Sequence, residues 1–387
     1  MVDKAKIVEV DDLKVRFYTY EGIVKALEGV DVFLRKGETL GVAGETGCGK
    51  TVTGLSILKL VPPPGRIEGG RVLLNKDGKT INLLEKDELF LTKIRGKDIS
   101  MVFQEPKAAL NPVYTVEQQI GEVLMLHRKA EFILNILRQI KDEYKKTKSK
   151  FRRFILKRQF GLYKLMLKNP ESLYLKIMSK IPIVRRFKRR LKEEIRKEVV
   201  RLLKEMEIPD PERVANMYPH ELSGGMAQRV VIAIALACNP TVLIADEPTT
   251  SLDVTVQAQV LDLIRRLKEK FGSSIIYVSH DLGVIAELCD RVAIMYAGNV
   301  VELADVYELF KNPLHPYTRG LLEAIPRPDK PLKSIKGTVP NLINPPQGCR
   351  FHPRCPYATD ICRKFKPELV EVKKDHLVAC HQVMGGE

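Results

Sequence analysis

The sequence predicts an α/β protein with a parallel-sheet core, an antiparallel β subdomain at its edge, a helical subdomain with a basic insert, and a small cysteine-rich C-terminal tail. After residue 240, apolar strand segments alternate with helical segments, which indicates parallel strands joined by crossover helices. Helical spacing dominates residues 115–215, and prolines recur from residue 312 onward. We therefore assign residues 1–114 and 216–311 to the core, 115–215 to the helical subdomain and 312–387 to a C-terminal extension.

Length and composition exclude several classes of protein. The chain has 387 residues, of which 44% are hydrophobic and 29% are charged, as in ordinary globular domains. No segment approaches the roughly 18 consecutive apolar residues that a membrane-spanning helix needs. No signal-peptide pattern follows Met1. We therefore expect a protein that stays on the cytoplasmic side of the membrane.

The first strands lead into a glycine-rich loop. Residues 5–42 alternate apolar and polar positions around a turn at residues 20–22, as expected for an antiparallel edge sheet. A short apolar strand then runs into residues 44–51 (GETGCGKT), which match the phosphate-binding pattern G-x-x-x-x-G-K-[ST]. Helical spacing follows this loop and ends near the prolines at residues 62–64.

The residue types in this loop suit a nucleotide triphosphate. Glycines let successive backbone N–H groups turn toward phosphate oxygens. Lys50 adds a positive charge at the β- and γ-phosphates, and the Thr51 hydroxyl is a ligand for Mg²⁺. The helix that begins there presents its positive end to the anion. We predict that the loop binds ATP and Mg²⁺ through Gly44, Glu45, Thr46, Gly47, Cys48, Gly49, Lys50, Thr51 and Val52.

An apolar segment that ends in two carboxylates completes the predicted site. Residues 242–245 are apolar, and Asp246 and Glu247 follow them directly. Asp246 is expected to hold the magnesium shell, and Glu247 is expected to polarise the attacking water. Together with the phosphate-binding loop, this pair predicts ATP hydrolysis.

A third motif points to a family. Residues 222–229 (LSGGMAQR) match the signature of the ATP-binding subunits of ABC transporters, with Met226 where most members have glutamine, and the chain resembles that family in all three motifs. The resemblance implies an ABC-type P-loop ATPase fold, in which the signature of one subunit closes on ATP held by the partner's phosphate loop. Ser223, Gly224 and Gly225 are the residues expected to face that nucleotide.

The same resemblance implies further site residues. Gln104 fits the residue that contacts Mg²⁺ and water, and His280 fits the switch histidine at the γ-phosphate. Residues 251–253 (SLD), which include Asp253, fit the loop that crosses the dimer interface. The catalytic set implied in this way is Glu247, His280, Gln104 and Lys50, and the residue that stacks on adenine is Tyr20 or Tyr18.

Several stretches are typical of the oligopeptide/dipeptide importer branch of the family. They are Glu45, Met226, residues 253–259 (DVTVQAQ) and residues 312–322 (NPLHPYTRGLL). The resemblance implies that the chain works in an assembly of two membrane permease subunits, two different ATPase subunits and an external substrate-binding protein. The resemblance thus implies a peptide importer subunit, peripheral on the cytoplasmic face of the cell membrane, with oligosaccharide or nickel as alternative cargo.

Four cysteines crowd into the proline-rich tail. They are Cys349, Cys355, Cys362 and Cys380. In a reducing cytosol, clustered cysteines favour metal binding over disulfides. Four thiolates suit either Zn²⁺ or an iron–sulfur cluster, and their spacing does not choose between the two. The resemblance to the importer branch implies a [4Fe–4S] cluster, and zinc or unliganded thiols are the alternatives. His352 and His381 are bystanders, which means that they adjoin the cysteines but are not expected to be ligands.

The net charge of +16 is concentrated in the basic insert at about residues 140–190. Residues 141–200 contain 21 Lys and Arg against 6 Asp and Glu, so the rest of the chain is nearly neutral. One interpretation is a helical hairpin with a solvated lysine face, and another is contact with anionic lipid headgroups or with acidic loops of the membrane subunits. Nucleic-acid binding is not expected, since no base-stacking or groove-reading motif accompanies the charge. A nucleic-acid-associated ABC ATPase and an ABC exporter are the alternative functions.

Overall fold

The computed structural model describes residues 5–169, 188–250, 253–326 and 334–384. The chain divides into two compact units, Met1–Gln104 with Thr241–Glu387, and Glu105–Pro240. The second unit contains the signature motif, which the sequence-based boundaries had placed in the core. Residues 170–187 of the predicted basic insert lie outside the described residues, as do Ser251 and Leu252.

The strands lie in the first unit and form two sheets. They are β1 (Lys6–Thr19), β2 (Gly22–Arg35), β3 (Thr39–Ala43), β4 (Gly65–Lys76), β5 (Lys79–Asn82), β6 (Ile99–Val102), β7 (Val242–Asp246), β8 (Ser274–Ser279), β9 (Arg291–Tyr296), β10 (Asn299–Asp305), β11 (Val370–Lys373) and β12 (His376–Val378). Among the described residues, one sheet has the order β2-β1-β4-β5 and the other has the order β11-β12-β10-β9-β3-β8-β7-β6.

The smaller sheet is antiparallel. Thr19 pairs with Gly22 across the turn, so β1 and β2 form a hairpin at the position where the sequence predicts one. β4 pairs antiparallel with the other edge of β1. Apolar side chains on alternate positions of β1, such as Val8, Val10 and Val15, are buried in a core that this sheet shares with the larger one.

The larger sheet has a parallel centre, which is the α/β arrangement that the sequence predicts. β3 pairs parallel with β8 and β9, and β7 pairs parallel with β6 and β8. Every residue of β3, β7, β8 and β9 is buried, as expected for strands that are covered on both faces. Ala43 pairs with Ser279, and Asp246 pairs with Val278, so the carboxyl ends of β3, β7 and β8 meet at one edge of the sheet.

Helices surround these strands in the first unit and make up most of the second. In the first unit they are Lys50–Ile57, Glu88–Ile94, Val254–Phe271, Leu282–Leu288, Val306–Lys311, Pro316–Glu323, Asp360–Lys364 and His381–Met384, with a 3-10 helix at Leu83–Glu85. In the second they are Pro106–Ala109, Val116–His127, Lys129–Lys146, Lys150–Lys168, Lys188–Glu205, Pro211–Val214 and Gly224–Leu236, with a 3-10 helix at Pro219–Glu221. In the part of the chain that the structure describes, no helix combines the length and the apolar content needed to cross a membrane.

The described part of the basic insert includes a helical hairpin. Helix Lys129–Lys146 buries four apolar side chains, whereas helix Lys150–Lys168 buries only Leu156 and Tyr163. Arg190, at the start of the following helix, makes a bidentate ion pair with Glu143, with N–O distances of 2.8 and 3.0 Å. Helix Lys150–Lys168 leaves most of its first turns exposed, including Phe151 at 74% and Phe154 at 57%, and the basic residues Arg152 and Lys157 are exposed as well.

The C-terminal extension is part of the core sheet rather than a loose appendage. β12 pairs antiparallel with β10, and β11 pairs with β12, so the extension adds two strands to the sheet edge. Phe351 and Val378 are buried. The proline content of the tail predicted loops, but strand pairing with the core gives this segment its own regular structure.

A buried carboxylate fastens the extension to the sheet. Glu302 on β10 accepts hydrogen bonds from the backbone N–H groups of Leu314 and His315, at 2.8 and 3.0 Å. Its Oε1 lies 2.7 Å from Nε2 of the buried His376. Burial opposes ionisation of Glu302, but these hydrogen bonds and one from Thr318 hold its pKa below the usual range. The charged carboxylate thus joins two separate segments of the extension to β10.

His315 should make this packing sensitive to acid. His315 is buried, and its Nδ1 accepts a hydrogen bond from the Tyr317 N–H at 3.0 Å. Burial lowers the pKa of His315 to about 4. The negative charge of Glu302 opposes this shift, and the positive charge of Arg319 adds to it. His315 binds a proton near pH 6.5 in the unfolded chain but only near pH 4 in the folded chain. Because of this residue alone, the free energy of unfolding should fall by about 3 kcal/mol as the pH is lowered from 7 to 4. His315→Asn keeps an acceptor but does not titrate. In urea denaturation it should lose that much less stability over this range, and an equal loss in both proteins would contradict the assignment.

Candidate active site

The phosphate-binding loop leaves the end of β3 and enters helix Lys50–Ile57. Its glycines are required by their surroundings. Gly44 has φ +152°, and a Cβ atom there would lie 2.2 Å from the carbonyl oxygen of Met295. Gly49 has φ +104°, and a Cβ atom there would lie 2.6 Å from a methyl group of Leu27. The loop can therefore lie against β2 and β9 only with glycine at these positions.

Lys50 lies inside the loop. Its Nζ donates to the carbonyl oxygens of Gly44 at 2.8 Å and of Glu45 at 3.2 Å, and the side chain is buried. The ammonium group is thus already directed into the concave side of the loop, where the sequence places the phosphates. The structure brings the predicted cation and the predicted backbone cradle together.

Two of the three residues predicted to contact magnesium, Thr51 and Asp246, are also adjacent. The Thr51 hydroxyl donates to Oδ1 of Asp246 at 3.2 Å. Burial raises the pKa of Asp246 to about 6, and the hydrogen bond from Thr51 opposes this rise. A hydroxyl and a carboxylate are hard oxygen donors of the kind that Mg²⁺ prefers, so the residues present fit the ion.

Three of the predicted catalytic residues meet at one carboxylate. Oε2 of Glu247 accepts from Nε2 of Gln104 at 3.2 Å, and Oε1 lies 3.0 Å from Nδ1 of His280. A third contact comes from Thr250, whose hydroxyl donates to Oε2 at 3.1 Å. Sequence reasoning did not single out Thr250, although a hydroxyl three residues after a catalytic acid is a usable signal. These contacts fix the direction in which the Glu247 carboxylate points.

The backbone at Glu247 is strained. Its φ is +44°, a left-handed conformation that a non-glycine residue rarely adopts. Its N–H donates to the Val278 carbonyl at 3.0 Å, so the adjacent strand β8 holds this conformation in place. Such strain costs about 1–3 kcal/mol and persists where the surroundings enforce it, commonly at functional sites.

The two candidates for adenine stacking differ in their surroundings. Tyr20 lies on the β1–β2 turn and is 99% exposed. Tyr18 donates its hydroxyl to Glu68, and the Arg66 guanidinium lies 5.2 Å from the centre of its ring. One face of Tyr18 is thus already covered by a cation, whereas Tyr20 offers its ring to a base. The assignment of Tyr20 to adenine stays a prediction.

Two predicted residues cap helices. Ser223 precedes helix Gly224–Leu236, and its hydroxyl accepts from the Met226 N–H at 3.3 Å. Gly224 and Gly225 form the first turn of that helix, in the second compact unit. Asp253 caps helix Val254–Phe271 in the first unit, with Oδ1 accepting from the Val256 N–H at 2.9 Å. Both are ordinary N-caps in the isolated chain, and their predicted contacts with a partner's nucleotide stay predictions.

The four tail cysteines lie near one another but do not form a coordination shell. The Cys349 N–H donates to the Cys362 carbonyl at 2.8 Å. Burial, together with smaller contributions from the thiols of Cys362, Cys380 and Cys355, raises the pKa of Cys349 to about 11. Within the described ranges, no group of three or more His, Cys, Asp or Glu side chains is arranged to hold a metal ion. The donor set suits a thiolate site chemically, but its arrangement does not match one.

The predicted bystander histidines have backbone partners. Nδ1 of His352 lies 2.9 Å from the Cys349 carbonyl oxygen, and Nε2 of His381 lies 3.0 Å from the Phe365 carbonyl oxygen. Each therefore uses one ring nitrogen on the main chain of the tail.

Comparisons with known proteins agree with this geometry. A family profile described as "ABC transporter" matches residues 27–250, and one described as "Oligopeptide/dipeptide transporter, C-terminal region" matches residues 301–362. The oligopeptide transport ATP-binding protein OppD of Bacillus subtilis is 41% identical, over 98% of this chain and 89% of that protein. A probable peptide ABC transporter ATP-binding protein of Sinorhizobium fredii is 39% identical, over 97% of this chain and 94% of that protein. The structure of the dimeric ATP-binding cassette MJ0796 bound to ADP and Pi is similar with a TM-score of 0.54 and 25% identity, over 78% of this chain and 99% of that chain.

Proposed function

Because the chain belongs to the ABC transporter family of ATP-binding proteins, we propose that it hydrolyses ATP to drive the import of peptides across the cell membrane. The hydrolytic half of this proposal is supported by the contacts of Glu247 with Gln104, Thr250 and His280, beside the phosphate-binding loop. The cargo class is supported by the observation that residues 301–362 match the C-terminal region of oligopeptide/dipeptide transporters. The two relatives described above, which align with nearly the whole chain, are named for peptide transport.

In the proposed mechanism, Glu247 takes a proton from the water that attacks the γ-phosphorus of ATP. Gln104 and Thr250 hold its carboxylate, and His280 lies beside the same group to contact the γ-phosphate. Lys50 balances the charge that shifts onto the phosphate oxygens as the bond to ADP breaks. Bound at Thr51 and Asp246, Mg²⁺ would neutralise further phosphate charge.

We propose that two such subunits form the working unit. Ser223, Gly224 and Gly225 of this chain would contact ATP held by a second, non-identical ATPase subunit, and Asp253 would lie at their interface. Two membrane permease subunits and an external binding protein would complete the importer, and this chain would lie on the cytoplasmic face of the membrane. The dimeric state of the similar cassette MJ0796 supports the pairing.

The exposed side chains of helix Lys150–Lys168 are proposed to contact anionic lipid headgroups near the permeases. They include Phe151 and Phe154 together with Arg152, Lys157 and other basic side chains. Each Lys or Arg at an anionic surface contributes about 1 kcal/mol, and the contribution falls as salt rises. Vesicle co-sedimentation that requires anionic lipid and weakens with salt is the expected result.

For the tail, we propose a [4Fe–4S] cluster held by Cys349, Cys355, Cys362 and Cys380, with zinc as the alternative. The proximity of the four thiols and the match to the branch's C-terminal region support it. Anaerobically purified protein with broad visible absorption and four irons per chain supports the cluster. Colourless protein with one zinc per chain supports the alternative, and protein free of both metals contradicts the proposal.

The cargo is tested by substrate-stimulated hydrolysis. The full assembly in lipid nanodiscs is supplied with the binding protein loaded in turn with peptide, oligosaccharide or nickel, and ATP turnover is measured. We expect stimulation by peptide and none by the other two. Stimulation by nickel or oligosaccharide alone would assign the importer to another cargo, and stimulation by RNA or DNA would contradict the transport assignment.

A further inference from the structure

We propose that the C-terminal extension positions the phosphate-binding loop for ATP, with Arg354 neutralising the Glu45 carboxylate and Tyr317 holding the Glu45 backbone. Arg354 and Tyr317 are then positioning residues, since they act on ATP through Glu45. The inference rests on ATP binding at this loop and does not depend on the cargo.

Arg354 reaches the loop from the cysteine-rich tail. Its Nη1 and Nη2 lie 2.7 and 3.1 Å from the two carboxylate oxygens of Glu45, a bidentate pair with fixed geometry. Its Nε donates to the Lys336 carbonyl at 3.0 Å, and its side chain is 5% exposed. The guanidinium also lies 5.7 Å from the ring centre of Tyr296. Contacts with other residues of the first unit therefore hold Arg354 in place, in addition to its ion pair with the loop.

Tyr317 holds the same loop residue at its main chain. The N–H of Glu45 donates to the Tyr317 hydroxyl at 3.0 Å. The Tyr317 ring is fully buried and packs against Tyr296 and Phe351, with ring centres 4.6 and 5.4 Å away. Because this ring cannot shift without disturbing the cluster, the Glu45 N–H is directed toward the extension. The backbone donors that cradle phosphate are then those that follow Glu45 in the loop.

Glu45 is thus gripped at three points. Tyr317 takes its N–H, Lys50 donates to its carbonyl oxygen at 3.2 Å, and Arg354 pairs with its side chain. Its carboxylate stands in a loop that binds a polyanion, where an unpaired negative charge would repel the phosphates. The ion pair with Arg354 removes that repulsion and turns the carboxylate toward the extension. An acid in this loop is compatible with ATP because the extension supplies its counter-charge.

The extension does not need Glu45 in order to dock. Arg350 pairs with Glu28 at 2.8 Å, Asp375 pairs with Arg35, and His376 pairs with Glu302. None of these three pairs includes a residue of the phosphate-binding loop. Arg354 can therefore be changed while the other anchors hold the extension in place, and its effect on the nucleotide can be measured separately.

The test compares ATP affinities of the full-length subunit by equilibrium titration with a fluorescent ATP analogue. Arg354→Gln leaves Glu45 charged and unpaired, and we expect binding to weaken about tenfold. The double variant Glu45→Gln with Arg354→Gln removes both charges and should recover to within about threefold of wild type. Asp375→Asn, which breaks an anchor of the extension away from the loop, is the matched control and should bind ATP as wild type does.

Steady-state hydrolysis by the assembled transporter provides a second readout. For Arg354→Gln, the KM for ATP should rise with the same fold-change while kcat stays within about twofold, since the catalytic residues are untouched. Wild-type affinity in Arg354→Gln, or a double variant as weak as the single one, would overturn the proposal. An equal loss of ATP affinity in Asp375→Asn would show that ATP binding depends on docking of the extension and not on the Arg354–Glu45 ion pair. Failure of the wild-type chain to bind ATP would instead contradict the ATPase assignment.

Discussion

Replacement of Glu247 by Gln should leave ATP binding intact and slow hydrolysis by about 100-fold or more, the loss expected when a general base is removed. The amide is nearly the same size as the carboxylate, and its oxygen can still accept from Gln104 and Thr250, which now contact Glu247. It cannot take the proton of the attacking water. The measurement is steady-state ATP turnover by the full assembly, together with equilibrium nucleotide binding.

Glu287→Gln is a matched control for that experiment. Glu287 lies on helix Leu282–Leu288 and forms an exposed ion pair with Arg265 at 3.0 Å, and exposed pairs contribute little. The same chemical change there should leave turnover unaltered. If Glu247→Gln retained turnover like that of Glu287→Gln, Glu247 would lose its role as the base.

Gly44→Ala should abolish most ATP binding. The new Cβ would lie 2.2 Å from the Met295 carbonyl oxygen and 2.8 Å from Sγ of Cys48, on a backbone with φ +152°. The loop must then move away from β9, and strain of about 3 kcal/mol corresponds to a loss of about 100-fold in affinity. Equilibrium titration of the full-length subunit with ATP measures the effect.

Gly37→Ala separates backbone strain from loop displacement. Gly37 also has a positive φ, +72°, but a Cβ atom there would meet nothing within 4 Å. This variant should lose about 1 kcal/mol of unfolding free energy and keep wild-type ATP affinity. Equal ATP affinities in the two variants would refute the packing argument for Gly44.

The core strands could be predicted from the sequence because their mostly apolar composition indicates that they are buried. Val242–Asp246 and Ser274–Ser279 are runs of mostly apolar residues buried on both faces, and such runs are typical of a parallel sheet. The two strands of the tail could not be predicted. Val370–Lys373 and His376–Val378 are short and partly charged, and they are strands because β10 offers a free edge for pairing.

Some residues of the nucleotide site could likewise be predicted from the sequence, and others could not. Lys50, Asp246 and Glu247 follow from motif chemistry, and resemblance added Gln104 and His280. Neither the motifs nor the resemblance predicted Thr250 or the contacts of the extension with the phosphate-binding loop. Arg354 and Tyr317 lie in segments without a nucleotide motif, and only the packing of the extension brings their side chains to Glu45. Contacts between residues so far apart along the chain depend on tertiary structure, which local patterns do not encode.

The central claim, that ATP hydrolysis at this site drives peptide uptake, is tested most directly by transport itself. Vesicles containing the two permeases, both ATPase subunits and the binding protein are given labelled peptide, with ATP on the side that carries this chain. We expect peptide to accumulate with wild-type protein and not with Glu247→Gln, although both bind ATP. Equal accumulation in the two preparations, or ATP turnover without any movement of peptide, would contradict the account.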